Sequence, residues 1–324
     1  MASGKGTRGG GKGNAGGVSN LRTVALLVAD IHLQARPPVA RSAEEDWFAA
    51  MERPLREIAN LAGHHRCPIF YAGDIFDRWN AGPEIIHFAL RYLPPGYAVP
   101  GQHDLPNHNY DEMHRSAYGV LVETGHLKTV PPGVRVLVNG SLAVTGFQWG
   151  YQPVPLVATD TPATHEIALI HKFVWIKGCG YPGASDETFL STKNLRGYTV
   201  AVYGDNHKGF LVKPKTEKDP WVINCGGFMR RKTDERDYKP GIGLLMEDGT
   251  VTRHYLCTEA DKFTVLTAAE EAVAQTLNMS EFVDELKALG GGDALNFEAT
   301  MKRFMDQNNT PPDVREVIME AMGT

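Results

Sequence analysis

Residues 68–78 read P-I-F-Y-A-G-D-I-F-D-R. Pro68 opens a short apolar run and Gly73 closes it. A run of this length between a proline and a glycine reads as a buried strand and is too short for a helix. Asp74 and Asp77 follow at once. The chain thus buries a strand and then presents two carboxylates where that strand stops.

The same arrangement recurs along the chain. VALLVAD (24–30) ends on Asp30, with His32 two residues on. YAVPG (97–101) leads into Gln102, His103 and Asp104. HEIALIH (165–171) ends on His171, and TVAVYGD (199–205) ends on Asp205 with His207 just beyond. SLAVTGF (141–147) and WVINCGG (221–227) read as further strands, and LLMEDGTVTRHYL (244–256) as a hairpin turning at Asp248-Gly249. Ser42 with Glu45 matches a capping box and predicts a helix to about Leu61; another is expected around 83–93. Strands that alternate with helices early and follow in series later predict a layered α/β domain with a mixed sheet.

Composition bounds the rest. The 324 residues are 42% hydrophobic, which suffices for a large core. A net charge of -5 argues against a wholly basic nucleic-acid binder, although bound cations would change the local field. The four cysteines, Cys67, Cys179, Cys225 and Cys257, form no C-x-x-C pair, which fits neither a zinc ribbon nor a disulfide framework. No stretch approaches the roughly 20 apolar residues of a membrane span, and no apolar leader is visible, so a cytoplasmic protein without membrane contact is expected. The Gly-rich residues 1–20, with Lys5, Arg8 and Lys12, are expected to be disordered. Residues 21–260 form the expected main domain. From 263 to 324 come short amphipathic patterns such as SEFVDELKAL and PPDVREVIMEAM, expected to form a helical docking module.

Each Asp/His group taken singly is an ordinary turn motif. Together they point to one place, because side chains just past the carboxyl ends of strands in an open α/β sheet converge on one crevice. Several acids crowded there repel one another, and divalent cations remove that cost. The remaining histidines, such as His64, His87 and His126, lack metal spacing and read as surface or core residues.

With Asp30-x-His32, Gly73-Asp74-x-x-Asp77, Gly101-Gln102-His103-Asp104, a lone His171 and Gly204-Asp205-Asn206-His207 in this order, the sequence resembles the calcineurin-like metallophosphoesterase superfamily over about residues 24–210. The resemblance implies mixed β-sheets flanked by helices and two divalent ions, Mn²⁺ foremost and Mg²⁺ next. Two such ions bind a phosphate ester and stabilise its developing charge. Asp74 would bridge them, Asp30, His32 and His207 would complete one site, and Gln102, His171 and Asp205 the other. His103 would protonate the leaving group, or merely bond a metal-bound water, and Asp104 would orient its ring. Gln102 stands where the family has Asn, and Asp205 where it has His. Both changes keep an oxygen donor, which favours a harder metal at that site; the rival reading is a weakened second site. Lys172, Lys208, Arg230 and Arg231 are candidates for substrate phosphates. Phe76, Phe147 and Trp149 read as core or rim.

Within the superfamily, Y-A-G-D-I-F-D-R, I-N-C-G-G-F-M-R-R (223–231) and the helical tail are similar to SbcD-like DNA-repair nucleases and their smaller virus-encoded relatives. That resemblance implies a DNA substrate, docking of the tail onto an SbcC-like coiled-coil ATPase, and a homodimer. The DNA-capping domain of that branch is absent or very short here. The alternatives are a phosphatase or phosphodiesterase acting on a small molecule or phosphoprotein, and a scaffold with a vestigial metal site.

Overall fold

The runs read as strands are strands in a computed structural model, which describes residues 21–157, 160–181, 184–264 and 315. Both the Gly-rich 1–20 and nearly all of the expected helical module lie outside the described residues.

One six-stranded sheet contains β1 (Thr23–Val28), β2 (Ile69–Ala72), β3 (Gly96–Val99), β4 (Leu127–Thr129) and the hairpin β11 (Gly241–Met246) and β12 (Val251–Tyr255). Its order is β12-β11-β1-β2-β3-β4, parallel from β1 to β4 and antiparallel at the hairpin. The other contains β5 (Arg135–Leu137), β6 (Leu142–Phe147), β7 (His165–His171), β8 (Val200–Gly204), β9 (Phe210–Val212) and β10 (Trp221–Asn224), in the order β5-β6-β7-β8-β10-β9. Both sheets are mixed, and helices α1 (Trp47–His65), α2 (Pro83–Tyr92) and α3 (Ala117–Glu123) flank the first. This is the layered α/β arrangement expected.

Alternation along each strand builds the layers. Leu26, Val28 and Tyr71 face helix residues such as Met51, Leu55 and Phe88. Leu27, Phe70 and Val99 face the other way, against Val144, Leu169 and Val202 of the second sheet. Phe147, Ile170 and Tyr203 line that sheet's outer face, covered by Val174, Leu195 and Tyr198. Phe76 and Phe147 are therefore core residues.

Two local expectations are corrected. The first helix starts later, with Asp46 as its cap: the Asp46 carboxylate accepts from the Ala49 N–H at 3.0 Å. Ser42 and Glu45 form no capping box there; Ser42 instead meets the Thr264 hydroxyl at 2.7 Å. The helix also runs past Leu61 to His65. The short elements α3, β4, β5 and β9 left no pattern long enough to read.

After β12 the chain returns to the start of α1. Asp261 pairs with Arg41 at 3.0 Å, Arg53 at 3.2 Å and Arg230 at 3.0 Å. Arg41 is only 2% exposed; it also bonds Glu44 at 2.5 Å and the carbonyls of Arg230 and Lys262. Removing one partner of a buried pair leaves the other charge uncompensated. Arg41→Ala is therefore expected to cost about 3–5 kcal/mol, read as a lower urea midpoint at unchanged slope. A loss below about 1 kcal/mol, the scale of exposed pairs, would show that this network does not hold the return segment.

Candidate metal centre

Backbone hydrogen bonds continue beyond the strands and hold the polar turns in register. The N–H of Asp30 donates to Gly73 O at 3.1 Å, that of His32 to Asp74 O at 2.9 Å, and that of Leu33 to Ile75 O at 2.8 Å. Asp30 and His32 are thereby laid beside Asp74. The turns are tight: Asp30, His32, Asp74 and Asp205 all adopt positive φ, at 54°, 51°, 53° and 81°. Non-glycine residues adopt that region at a cost, and such residues cluster where function needs them. Glycine is required beside them. A side chain at Gly73 would strike the His171 ring, and one at Gly101 would strike the Asp74 carboxylate.

The side chains converge. Asp30, His32 and His207 can each offer a ligand atom within 4.8 Å of the others; so can Asp30, Asp74 and His171, and so can His32, Asp74 and His103. His32 Nε2 and His207 Nε2 lie 3.1 Å apart. Asp74 Oδ2 is 3.4 Å from His171 Nε2 and 3.7 Å from His32 Nε2, so Asp74 stands between the two halves. The two departures from the family pattern meet: Gln102 Nε2 donates to Asp205 Oδ1 at 2.8 Å, while its Oε1 faces His171 Nε2 at 2.7 Å. The Asp205 N–H donates to Asp30 Oδ1 at 2.9 Å.

Electrostatics show how crowded the cluster is. Burial, with the charges of Asp74 and Asp205 adding to it, holds the Asp30 carboxyl well above the usual range. Burial is also the largest single influence on Asp74 and opposes its ionisation, but the His171 and His103 charges together with hydrogen bonds from the same two residues leave Asp74 below that range. Burial works against a charged His171; Asp74, then Asp205 and Asp30, overcome it and push the ring up to about 10. Burial and then the Arg231 charge hold His32 and His207 well below their ordinary value. Asp30 Oδ2, Asp74 Oδ2 and His32 Nδ1 are buried with no hydrogen-bond partner among the described residues. Unpartnered buried acceptors cost free energy, and oxygen with imidazole nitrogen is a donor set that suits a divalent cation. The residues fit such ions.

Several expected roles change. Asp104 does not orient His103. Its carboxylate accepts from the N–H groups of Ile75 at 3.2 Å, Phe76 at 3.0 Å and Gly101 at 3.0 Å, so it clamps the turn after β2 to the turn after β3. His103 Nδ1 instead faces the backbone carbonyl of Asp77 at 2.8 Å. A backbone carbonyl carries no sequence signal, which is why the sequence missed it. Arg230 turns away to Asp261 and the carbonyls of Thr258 and Arg236. Lys172 bonds Gln152. Lys208 reaches Gly180 O at 3.0 Å and lies over the Tyr181 ring at 4.5 Å. Of the four candidate cations, Arg231 is the one whose charge acts on His32 and His207; it pairs with Asp77 at 2.5 Å, and Asp77 is 3.7 Å from His32 Nδ1. Trp149 is a rim residue, its ring 6.4 Å from that of His171. Asn206 was not anticipated; fully buried, it donates to the carbonyls of Val174 at 2.8 Å and Cys179 at 2.9 Å and pins the loop after β7.

The model of the calcineurin-like phosphoesterases matches residues 24–209. No curated protein matches the chain. Solved structures match the chain at low identity. TT1561 of Thermus thermophilus is 15% identical, with 73% of this chain and 100% of that one covered and a TM-score of 0.44. The calcineurin-like phosphoesterase YfkN from Bacillus subtilis is 14% identical, with 80% and 97% covered and a TM-score of 0.43. A 5'-nucleotidase precursor, also from Thermus thermophilus, is 14% identical, with 82% and 59% covered and a TM-score of 0.44. All four cysteines are free, and no described helix is long and apolar enough to cross a membrane.

A ligating imidazole must be neutral, so an ion entering beside His171 expels a proton. Because its carboxylate neighbours push the His171 ring up to about 10, divalent-ion affinity is expected to rise as pH increases from 6 to 8. Calorimetric Mn²⁺ titrations in two buffers of different ionisation enthalpy should read about one proton released per protein or more at pH 7. Identical heats in the two buffers would show that no proton leaves.

Proposed function

The chain belongs to the calcineurin-like phosphoesterase family and is a metal-dependent hydrolase of phosphoesters; from that premise we propose that its substrate is a phosphodiester of DNA, as in the SbcD-like nuclease branch. The observation that carries this reading is the course of residues 223–231, the stretch similar to that branch. The Phe228 N–H donates to Asp30 O at 3.1 Å and the Gly227 N–H to His207 O at 3.1 Å, and Arg231 pairs with Asp77. The branch-like stretch is thus part of the ligand cluster's own support.

Asp74, between the two halves, would hold both ions. Asp30, His32 and His207 would hold one, and Gln102, His171 and Asp205 the other. When bound, the ions supply positive charge for the phosphoryl oxygens and activate the attacking water. His103 supplies the acid. Its ring lies 5.0 Å from that of His32, and the Asp77 carbonyl accepts the Nδ1–H, so the proton passed toward the leaving oxygen would be the one on Nε2. Arg231, fixed beside Asp77, is the cation offered to a substrate phosphate. The oxygen-rich second half favours Mn²⁺, with Mg²⁺ next. In this reading residues 263–324 dock onto an SbcC-like coiled-coil ATPase, the protein works in the cytoplasm, and it pairs as a homodimer. A phosphatase or phosphodiesterase of a small molecule or phosphoprotein, or a scaffold with an idle site, are the outcomes against which it is tested.

Mn²⁺-supported digestion of end-labelled single- and double-stranded DNA is expected, together with hydrolysis of bis-p-nitrophenyl phosphate. EDTA should abolish both. His103→Ala is expected to keep its metal and lose about 10²–10⁴-fold in kcat, the range of general-acid catalysis. Turnover of p-nitrophenyl phosphate without cleavage of either diester would reject the nuclease. Loss of bound metal in His103→Ala would reject the acid role.

A further inference from the structure

One buried amide is left unexplained by the ligand set above. Gln148 is 0% exposed, and neither its Oε1 nor its Nε2 has a hydrogen-bond partner among the described residues. A core residue of that size need not be polar, and an unpartnered amide costs stability. Its position suggests what meets it. Strands β6 and β7 run parallel, and their last registered pair is Phe147 with Ile170. Gln148 and His171 are each one residue further on. Phe147 and Ile170 both lie in the outer cluster of the second sheet. By alternation, Gln148 and His171 point to the opposite side, between the sheets. The next residue ties the same turn to the end of β3: the Trp149 N–H donates to Pro100 O at 3.4 Å, two residues before Gln102. Gln148 therefore sits between the strand ends that carry Gln102 and His171.

The two amides there differ in what they still have to give. Gln102 is engaged on both sides, by Asp205 and by His171. Gln148 is engaged on neither. A carboxamide oxygen is a hard, neutral donor of the kind that Mn²⁺ and Mg²⁺ accept. We propose that Gln148 is a further ligand of the second ion, giving its Oε1 to the cation held by Asp74, Gln102, His171 and Asp205. The proposal rests on the metal centre and is independent of which phosphoester is hydrolysed.

The test separates a ligand from a packing residue. Gln148→Met keeps the volume and removes the amide; Gln148→Glu keeps an oxygen at the same reach. Mn²⁺ binding is followed by calorimetry and by electron paramagnetic resonance of the bound ion, and thermal unfolding is followed with EDTA and with Mn²⁺. In EDTA, Gln148→Met should unfold at the wild-type temperature or above, because an unpartnered polar group has gone. Its second Mn²⁺ equivalent should weaken about ten-fold or more, its first should not, and the Mn²⁺-induced rise in Tm should shrink. Gln148→Glu should restore the second equivalent. Coincident isotherms for wild type and Gln148→Met overturn the proposal. A fall in Tm in EDTA for both variants, with no change in Mn²⁺ binding, overturns it too, since the amide would then serve the fold alone. A wild-type protein that takes up a single equivalent in excess Mn²⁺ would instead overturn the two-ion centre itself.

Discussion

The Asp74 carboxylate is the constraint around which the molecule is arranged. It is 1% exposed, between two histidines, at the end of a strand buried on both faces. An ionised carboxylate in such a place must be compensated. One oxygen accepts the His103 N–H at 3.1 Å, and the other faces His171 and His32. Those partners come from the ends of β3, β7 and β1. Compensating one charge thus requires both sheets to end at the same level. That in turn demands glycine at Gly73 and Gly101, where the chain passes too close for a side chain.

Asp104 supports this from behind. Burial, and then the nearby Asp74 charge, push its carboxyl up to about 7, although three backbone N–H groups favour its ionised form. The two acids thus behave in opposite ways because of their neighbours. Asp74 faces imidazoles and stays ionised, while Asp104 faces backbone and a like charge. A raised pKa of this kind contributes stability below its unfolded value near 4, which is lost as pH rises through about 7. Divalent ions beside Asp74 would offset that loss by neutralising the charge that drives it.

The second half of the centre departs most from the family pattern, and its residues depart together. Gln102 and Asp205 are 103 positions apart, yet they share a hydrogen bond. A longer amide reaches the shorter acid, and the acid's own N–H returns to Asp30. This is a through-space fit between two residues that the sequence keeps far apart.

By itself the sequence determined the strands, the turns that end them and the polar residues those turns carry. Burial on both faces forces a continuous apolar run, and a tight exit forces glycine before a polar residue; both are local and can be read letter by letter. The set Asp30, His32, Asp74, His171 and His207 was legible for that reason. Tertiary structure alone decided which groups face each other. Asp104, next to His103 in sequence, turns to the backbone of Ile75 and Phe76, and a carbonyl of Asp77 takes its place beside the ring. Asp46, four residues beyond Ser42, caps the first helix. Arg230 and Arg231 are neighbours, but one anchors the return segment at Asp261 and the other pairs with Asp77 beside His32. Hydrogen-bond partners depend on distances across the fold, and a sequence orders its residues along one dimension only.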